Sequence, residues 1–412
     1  MPPAKTKPSP VLLPRQQVAQ IAELSGVQAA FTWFRRHEEE LCRWQMEFAS
    51  IPAPPFGESK RAAWLKKRFS DVGLSRITID EQGNVIGFRP GADSAQPLVA
   101  IAAHMETVFP AGTPITIRRD GQRLLGPGIS DNASGVTALL ATAAALDAVS
   151  LRHQAGLVFI GTVGEEGEGD LRGMRHIFSA APFRANIGAT LVVDGAGTET
   201  IVNHALGSRR FEITLRGKGG HSWSDFGEPN PLVALAKVVA EFYQTDVART
   251  GKKKSAYNVG VFQSGTSVNS IPQSATARVD LRSEAQEEID RLEEALRNAV
   301  NAAISSSNGQ PKTLACEIKK IGERPAAELD AGARIVQIAR AVDAHLDIRS
   351  RLHCSSTDAN IPLALGQEAI SIGAGGAGGG AHTLEEWYKP AGRDLALKRI
   401  LLILLALAGV EE

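Results

Sequence analysis

Three apolar runs constrain this chain more than any other feature, because each leads directly to a side chain that can bind a metal. Residues 98–103 read LVAIAA and stop at His104. Residues 157–163 read LVFIGTV and pass through Gly164 to the adjacent carboxylates Glu165 and Glu166. Residues 191–193 read LVV and stop at Asp194. Unbroken apolar runs of this length read as strands buried on both faces. Between the first two, residues 134–149 carry Val136, Leu139, Leu140, Ala143 and Leu146 at helical spacing. Strands alternating with helices predict an α/β fold with a mostly parallel sheet. Ligands of such sheets bind beyond the carboxyl ends of the strands, where these polar residues stand. Neighbouring side chains at a strand end diverge, so one of Glu165 and Glu166 can bind a metal while the other handles a proton.

A chain of 412 residues exceeds the size at which a single core stops growing, roughly 250–300 residues. The texture changes at about residue 206. Residues 211–215 (FEITL) alternate like a half-exposed strand, 231–243 are helical, and 256–262 and 275–281 are strands. An amphipathic helix at 284–303 and a closing strand at 313–321 follow. The order β-α-β-β-α-β is that of a ferredoxin-like domain. Residues 206–321 therefore read as an insert between two parts of the first domain, 17–205 and 322–412. The remaining expectations are helices at 18–50, 58–72 and 331–346, and strands at 77–79 and 369–372.

Residues 1–16 are rich in Pro, Lys and Arg and read as a disordered tail. Their apolar patch, Val11-Leu12-Leu13, is too short for a signal peptide. Residues 395–408 (LALKRILLILLALA) fall short of the roughly 20 residues that span a bilayer, and they carry Lys398 and Arg399. A helix buried against the core is expected.

Charge points away from some partners. The 45 basic and 45 acidic residues balance, which leaves no broad footprint for nucleic acid or membrane and favours a small-molecule or peptide partner. Cys42, Cys316 and Cys354 form neither a disulfide framework nor a CxxC site, and suit a reducing, cytoplasmic setting. Two decoys fall away. His37-Glu38 has Leu41 where HExxH needs its second histidine. Residues 373–378 match GxGxxG, but no helix opens after them; these glycines rather let a loop approach closely and place His382.

Five candidates remain for metal binding: His104, Asp131, Glu166, Asp194 and His382. Each has an ordinary reading alone. Asp131 precedes a helix and could cap it, and Asp194 before Gly195 could be a turn residue. Together, two imidazoles and three carboxylates suit zinc, with manganese or cobalt as alternatives. Five ligands exceed the three of a mononuclear catalytic zinc and suit two ions sharing a carboxylate, which activate a water and polarise a carbonyl. A further carboxylate must then move the proton, and Glu165 stands beside Glu166.

The sequence also resembles the dizinc hydrolase family that includes aminoacylase, carboxypeptidase G and peptidase T. The matching pieces are HMETVFP at His104, GPGISDNASG at Asp131, GEE at Glu165, VVDG at Asp194, GKGGHS at His221, NSIP at Asn269, DLR at Asp280 and AHTLEEW at His382, in family order. The resemblance implies that Asp131 bridges two zinc ions, with His104 and Asp194 completing one site and Glu166 and His382 the other. It implies Glu165 as general base and acid, and His221 as an oxyanion donor reaching a partner subunit's site. Asn269 and Arg282 would hold the substrate backbone and its carboxylate. The insert would be a lid and dimerisation domain of a homodimer.

One departure is notable. The family usually has Asp two residues after the first histidine, where it orients the imidazole. Glu106 stands there, and its extra methylene is expected to shift that hydrogen bond. Asp194, where other members have Glu, resembles aminopeptidase and dipeptidase members. The implied activity is hydrolysis of short peptides from a free amino end. The rival activities are hydrolysis of N-acyl or N-carbamoyl amino acids, as in carboxypeptidase or amidohydrolase members, and an inactive binding protein that retains the fold.

Overall fold

The three apolar runs are neighbouring strands of one nine-stranded sheet in the computed structural model, which describes residues 13–251, 253–307 and 313–411. Leu157–Thr162, Leu98–His104, Ile187–Val193 and Glu368–Ile372 lie side by side and parallel. Their carboxyl ends share one edge, which brings His104, the Glu165 loop and Asp194 together. The hairpin Ser75–Ile79/Val85–Arg89 extends the sheet antiparallel on one side. On the other lies Thr200–Ala205, paired with Ala327–Glu328 and, in parallel, with Arg351–Ser355. The sheet is thus mixed, with a parallel centre.

Helices cover both faces over two apolar clusters. Ala133–Ala148 is buried almost all round, which fits its apolar composition on every side. Its start is fixed by Asn132, whose Oδ1 accepts the Gly135 N–H at 3.0 Å and whose amide donates to the Val193 carbonyl at 2.9 Å. That residue ties the helix beginning after Asp131 to the strand ending before Asp194. A side chain at Gly135 would meet Asn132 Oδ1 and the Val193 carbonyl at 2.3 and 2.5 Å. The closing helix, Arg393–Ala408, packs in the core as expected. Its fully buried Arg399 is held by Asp343 through bonds of 2.6 and 2.7 Å.

Residues 207–324 contain a separate antiparallel sheet, ordered Ser255–Ser264, Ser274–Ser283, Gly207–Arg216, Ala315–Arg324. Helices Pro231–Phe242 and Gln286–Ser307 cover one face over a third apolar cluster. In chain order the strands run 2-3-1-4, the ferredoxin-like arrangement. Both chain crossings into this unit lie together, with Ser208 opposite Arg324 in register.

Some expectations need correction. The single helix at 18–50 is three helices, Pro14–Glu23, Ser25–Arg36 and Glu38–Ala49. Leu24 is extended (ψ 133°) and His37 leaves helical geometry (φ −104°, ψ 13°), so the chain turns twice around the core. Residues 14–16, expected in the tail, belong to a helix that Pro14 opens at the position its fixed φ suits. Residues 1–12 lie outside the described residues. Among the described residues, no helix is long and apolar enough to cross a membrane.

Candidate metal centre

All five expected metal-binding side chains meet at the carboxyl edge of the parallel strands. Asp131 stands between the two histidines and uses a different oxygen for each. Oδ1 lies 3.0 Å from His104 Nε2, and Oδ2 lies 3.1 Å from His382 Nε2. His104 Nε2 is also 3.5 Å from Asp194 Oδ1, and His382 Nε2 is 2.8 Å from Glu166 Oε1. Three triads have donor atoms within 4.8 Å of one another: His104–Asp131–Asp194, Asp131–Glu166–His382 and, including Glu165, His104–Glu165–Glu166. Elements far apart in sequence supply them: two strand ends, the loop before a helix, the Glu165 loop, and the segment after the glycine-rich stretch. His382 itself has φ 64°, a left-handed conformation uncommon for a residue with a side chain.

The electrostatics fit a cation site. Burial opposes ionisation of His104, but its bonds to Asp131 and Asp194 outweigh burial and hold the imidazole well above its usual pKa. His382 is pushed up to about 10 by its bonds to Asp131 and Glu166. Burial works to raise Asp131, yet the two imidazoles hold it low. Asp194 is raised, by burial first. Acids and imidazoles thus converge on one place. Their oxygen and imidazole donors suit two divalent ions.

Glu165 is buried and close to this set. Burial raises its carboxyl well above the ordinary range; Arg324 opposes the rise, and neighbouring Glu166 adds to it. Glu106 behaves as its extra methylene suggests. Its Oε1 is 3.8 Å from His104 Nδ1, too far for a hydrogen bond, and accepts the Glu166 N–H at 2.8 Å instead. His104 Nδ1 consequently has no partner. Glu106 thus orders the backbone of one candidate ligand rather than the ring of another.

The centre opens into a cleft of about 520 Å³. Arg282 lines it, with its Nε donating to Asp280 Oδ2 at 2.7 Å. His221 and Asn269 do not line it. They sit together in the insert, where the Ser222 N–H donates to the Asn269 carbonyl at 3.0 Å and His221 pairs with Ser270.

This arrangement has counterparts. Residues 100–406 match the model of peptidase family M20/M25/M40. The chain belongs to that family. A probable carboxypeptidase of Talaromyces marneffei is 28% identical over 233 residues, 51% of each chain. Carboxypeptidase G2 of a Pseudomonas species is 24% identical over 253 residues, 60% of this chain and 57% of its own. The match thus spans little more than half the length of these curated relatives. Solved structures share the fold more fully. Aminopeptidase PepT of Bacillus cereus superposes with a TM-score of 0.73 at 20% identity, covering 90% of this chain and 99% of its own. A Staphylococcus aureus tripeptidase gives 0.75 at 19% identity, covering 90% and 98%. A Bacillus subtilis member described as a dinuclear metal-binding peptidase gives 0.69 at 15% identity, covering 92% and 100%.

Within this family frame, three residues carry more of the site than the sequence reading assigned. Glu386 accepts the N–H groups of Gly128, Ser130 and Asp131, each at 2.7 Å, and so fixes the loop that presents Asp131. It lies inside the AHTLEEW piece, which was its signal. Arg324 donates to Glu165 Oε1 at 3.0 Å. Arg210 lines the cleft, donating to the Gly167 carbonyl at 3.0 Å and to Asp280 Oδ1 at 3.1 Å. No local pattern marks either arginine.

Proposed function

We propose that the chain is a two-metal exopeptidase that hydrolyses short peptides from a free amino end. The observation that carries this reading is Asp131, which addresses His104 and His382 with separate oxygens while the buried Glu165 stands alongside. His104 and Asp194 would hold one ion, Glu166 and His382 the other, with Asp131 shared. Zinc suits the donors best, and when bound a pair of such ions polarises a carbonyl and acidifies a water.

The chain's own residues do the rest. Glu165 takes a proton from the attacking water and passes it to the leaving amine, a role that its buried place beside Glu166 suits. Asp280 orients Arg210 and Arg282 along the cleft, where their guanidinium groups can hold a substrate carboxylate. The cleft volume suits a peptide of a few residues. His221 and Asn269 would act on the cleft of a second copy in a homodimer, His221 donating to the oxyanion. The aspartate at 194 supports the amino-end preference through its likeness to aminopeptidase members.

A second reading is hydrolysis of N-acyl or N-carbamoyl amino acids. The arginine pair and the carboxypeptidase names of the curated relatives favour it. The deciding experiment is turnover of unblocked di- and tripeptides against N-acetyl and N-carbamoyl amino acids by zinc-loaded protein, with Glu165→Gln as control. Preference for unblocked peptides, and a loss of about 10²–10⁴-fold in Glu165→Gln, is the expected result. Preference for blocked amino acids would establish the second reading. Inactivity on the whole panel would leave a binding protein.

A further inference from the structure

Arg324 occupies an unusual position. It is the last residue of the insert's final strand and lies opposite Ser208 in register, so it stands where the chain crosses between the two units. Its side chain does not stay in the insert. It turns into the metal cleft, where it and Glu165 are both buried, with side chains 9% and 6% exposed.

There its Nη1 donates to Glu165 Oε1 at 3.0 Å and to Ser356 Oγ at 2.9 Å. Its Nη2 donates to the Glu165 backbone carbonyl. One guanidinium thus grips both the carboxyl and the backbone of one residue, while Ser356, from a third segment, fixes the guanidinium. The same loop is joined to the insert twice more. Arg210 donates to the Gly167 carbonyl at 3.0 Å, and Asp170 Oδ1 accepts the Glu323 N–H at 2.8 Å.

A carboxylate that moves a proton must lie within hydrogen-bond reach of it. Glu165 has several rotatable bonds, and repulsion from adjacent Glu166 would drive it out of line. We propose that Arg324, steadied by Ser356, is a positioning residue that holds the Glu165 carboxylate in its working orientation. This rests on Glu165 as the proton carrier. A planar fork with fixed, separated donors suits the task, and a lysine ammonium, whose donors share one rotating nitrogen, does not reproduce that spacing.

The test is steady-state kinetics of zinc-loaded Arg324→Ala, Arg324→Lys and Ser356→Ala on the best peptide substrate, with metal content and added guanidinium as further readouts. Misplacing the base is expected to lower kcat by about a hundredfold in Arg324→Ala, with KM and metal content unchanged. Arg324→Lys should not recover the loss, and free guanidinium ion should recover it in part. Ser356→Ala should show a smaller loss in kcat, and it reads the same parameter if Arg324→Ala does not fold. Unchanged kcat in both variants, a rise in KM at constant kcat, or no guanidinium rescue would overturn the proposal. Glu165→Gln run alongside separates the two failures. Full activity in that variant removes the proton carrier and this inference with it. An inactive Glu165→Gln beside fully active Arg324→Ala and Ser356→Ala overturns the role of Arg324 alone.

Discussion

Replacing Glu386 by glutamine should weaken both the fold and its metal binding. The carboxylate accepts three backbone N–H groups at 2.7 Å, Oε2 from Gly128 and Oε1 from Ser130 and Asp131. Glutamine keeps the shape but turns one oxygen into an amide NH2. Placed in either orientation, that donor faces at least one backbone donor. A buried donor left without an acceptor costs about 1–3 kcal/mol. The surviving bonds also lose charge assistance, a further cost. Relief of a buried charge works the other way, since burial pushes Glu386 up to about 7 against the pull of the three N–H groups. The net expectation is a destabilisation of about 1–3 kcal/mol at pH 8, where the native side chain is ionised. Because these bonds hold the backbone of Asp131, metal affinity should fall by about 10–100-fold, as for other supports behind a ligand. Denaturant unfolding of the metal-stripped protein reads the first quantity, and zinc titration against a competing chelator reads the second. If both match the native protein, the loop does not depend on Glu386 and the reasoning fails.

Other outcomes follow from the same geometry. In metal-stripped protein, Glu165, Asp194 and Glu106 are raised by burial, and Asp358 is pushed up to about 7 by burial against its Thr162 bond. A folded pKa above the unfolded value, about 4 for these acids, means that the folded state holds protons the unfolded state releases, so stability falls as pH rises from about 4 to 7. His104 and His382 add the same sign, their contribution complete below about pH 6.5 and lost as pH climbs through the folded value, about 10 for His382, whereas His153, lowered by burial, acts oppositely below about pH 6.5. Asp131, held low, acts oppositely but only below about pH 4. Unfolding with chelator across this range should therefore show a steady decline, and a maximum near pH 8 would contradict it. Arg399→Ala strands buried Asp343 and should cost about 3–5 kcal/mol, seen as a lower denaturant midpoint at unchanged slope. Mixing inactive His221→Ala and Glu165→Gln subunits should restore activity if His221 serves a partner's cleft, and fail to do so if each subunit works alone.

The parts of the molecule that could be read from sequence are those whose signal is local. LVAIAA, LVFIGTV and LVV announce buried strands because both their faces are covered, and the polar residues just beyond them fall on one edge once the strands run parallel. The insert was legible because its strands and helices alternate period between 2 and 3.6. Val85–Arg89, Thr200–Ala205 and Arg351–Ser355 were not, because a glycine, an asparagine or a histidine interrupts each pattern and only pairing with neighbours makes them strands. Glu386 sits in the AHTLEEW piece, but nothing local says what it supports, and nothing local marks Arg324 at all. Their partners lie 255–258 and 159 residues away, so their roles exist only after folding. Glu106 was half legible. The sequence says that its reach is longer than that of aspartate, but only the fold shows the Glu166 N–H placed to donate to it.

In the two-metal reading, Asp131 joins both cation sites. Equilibrium dialysis of purified protein against zinc, with metal counted per chain, tests it most directly when repeated on Asp131→Ala. Two ions per native chain, and weakened binding of both in the variant, are the expected result. One ion per native chain, or a variant that keeps one ion at native affinity, would contradict it.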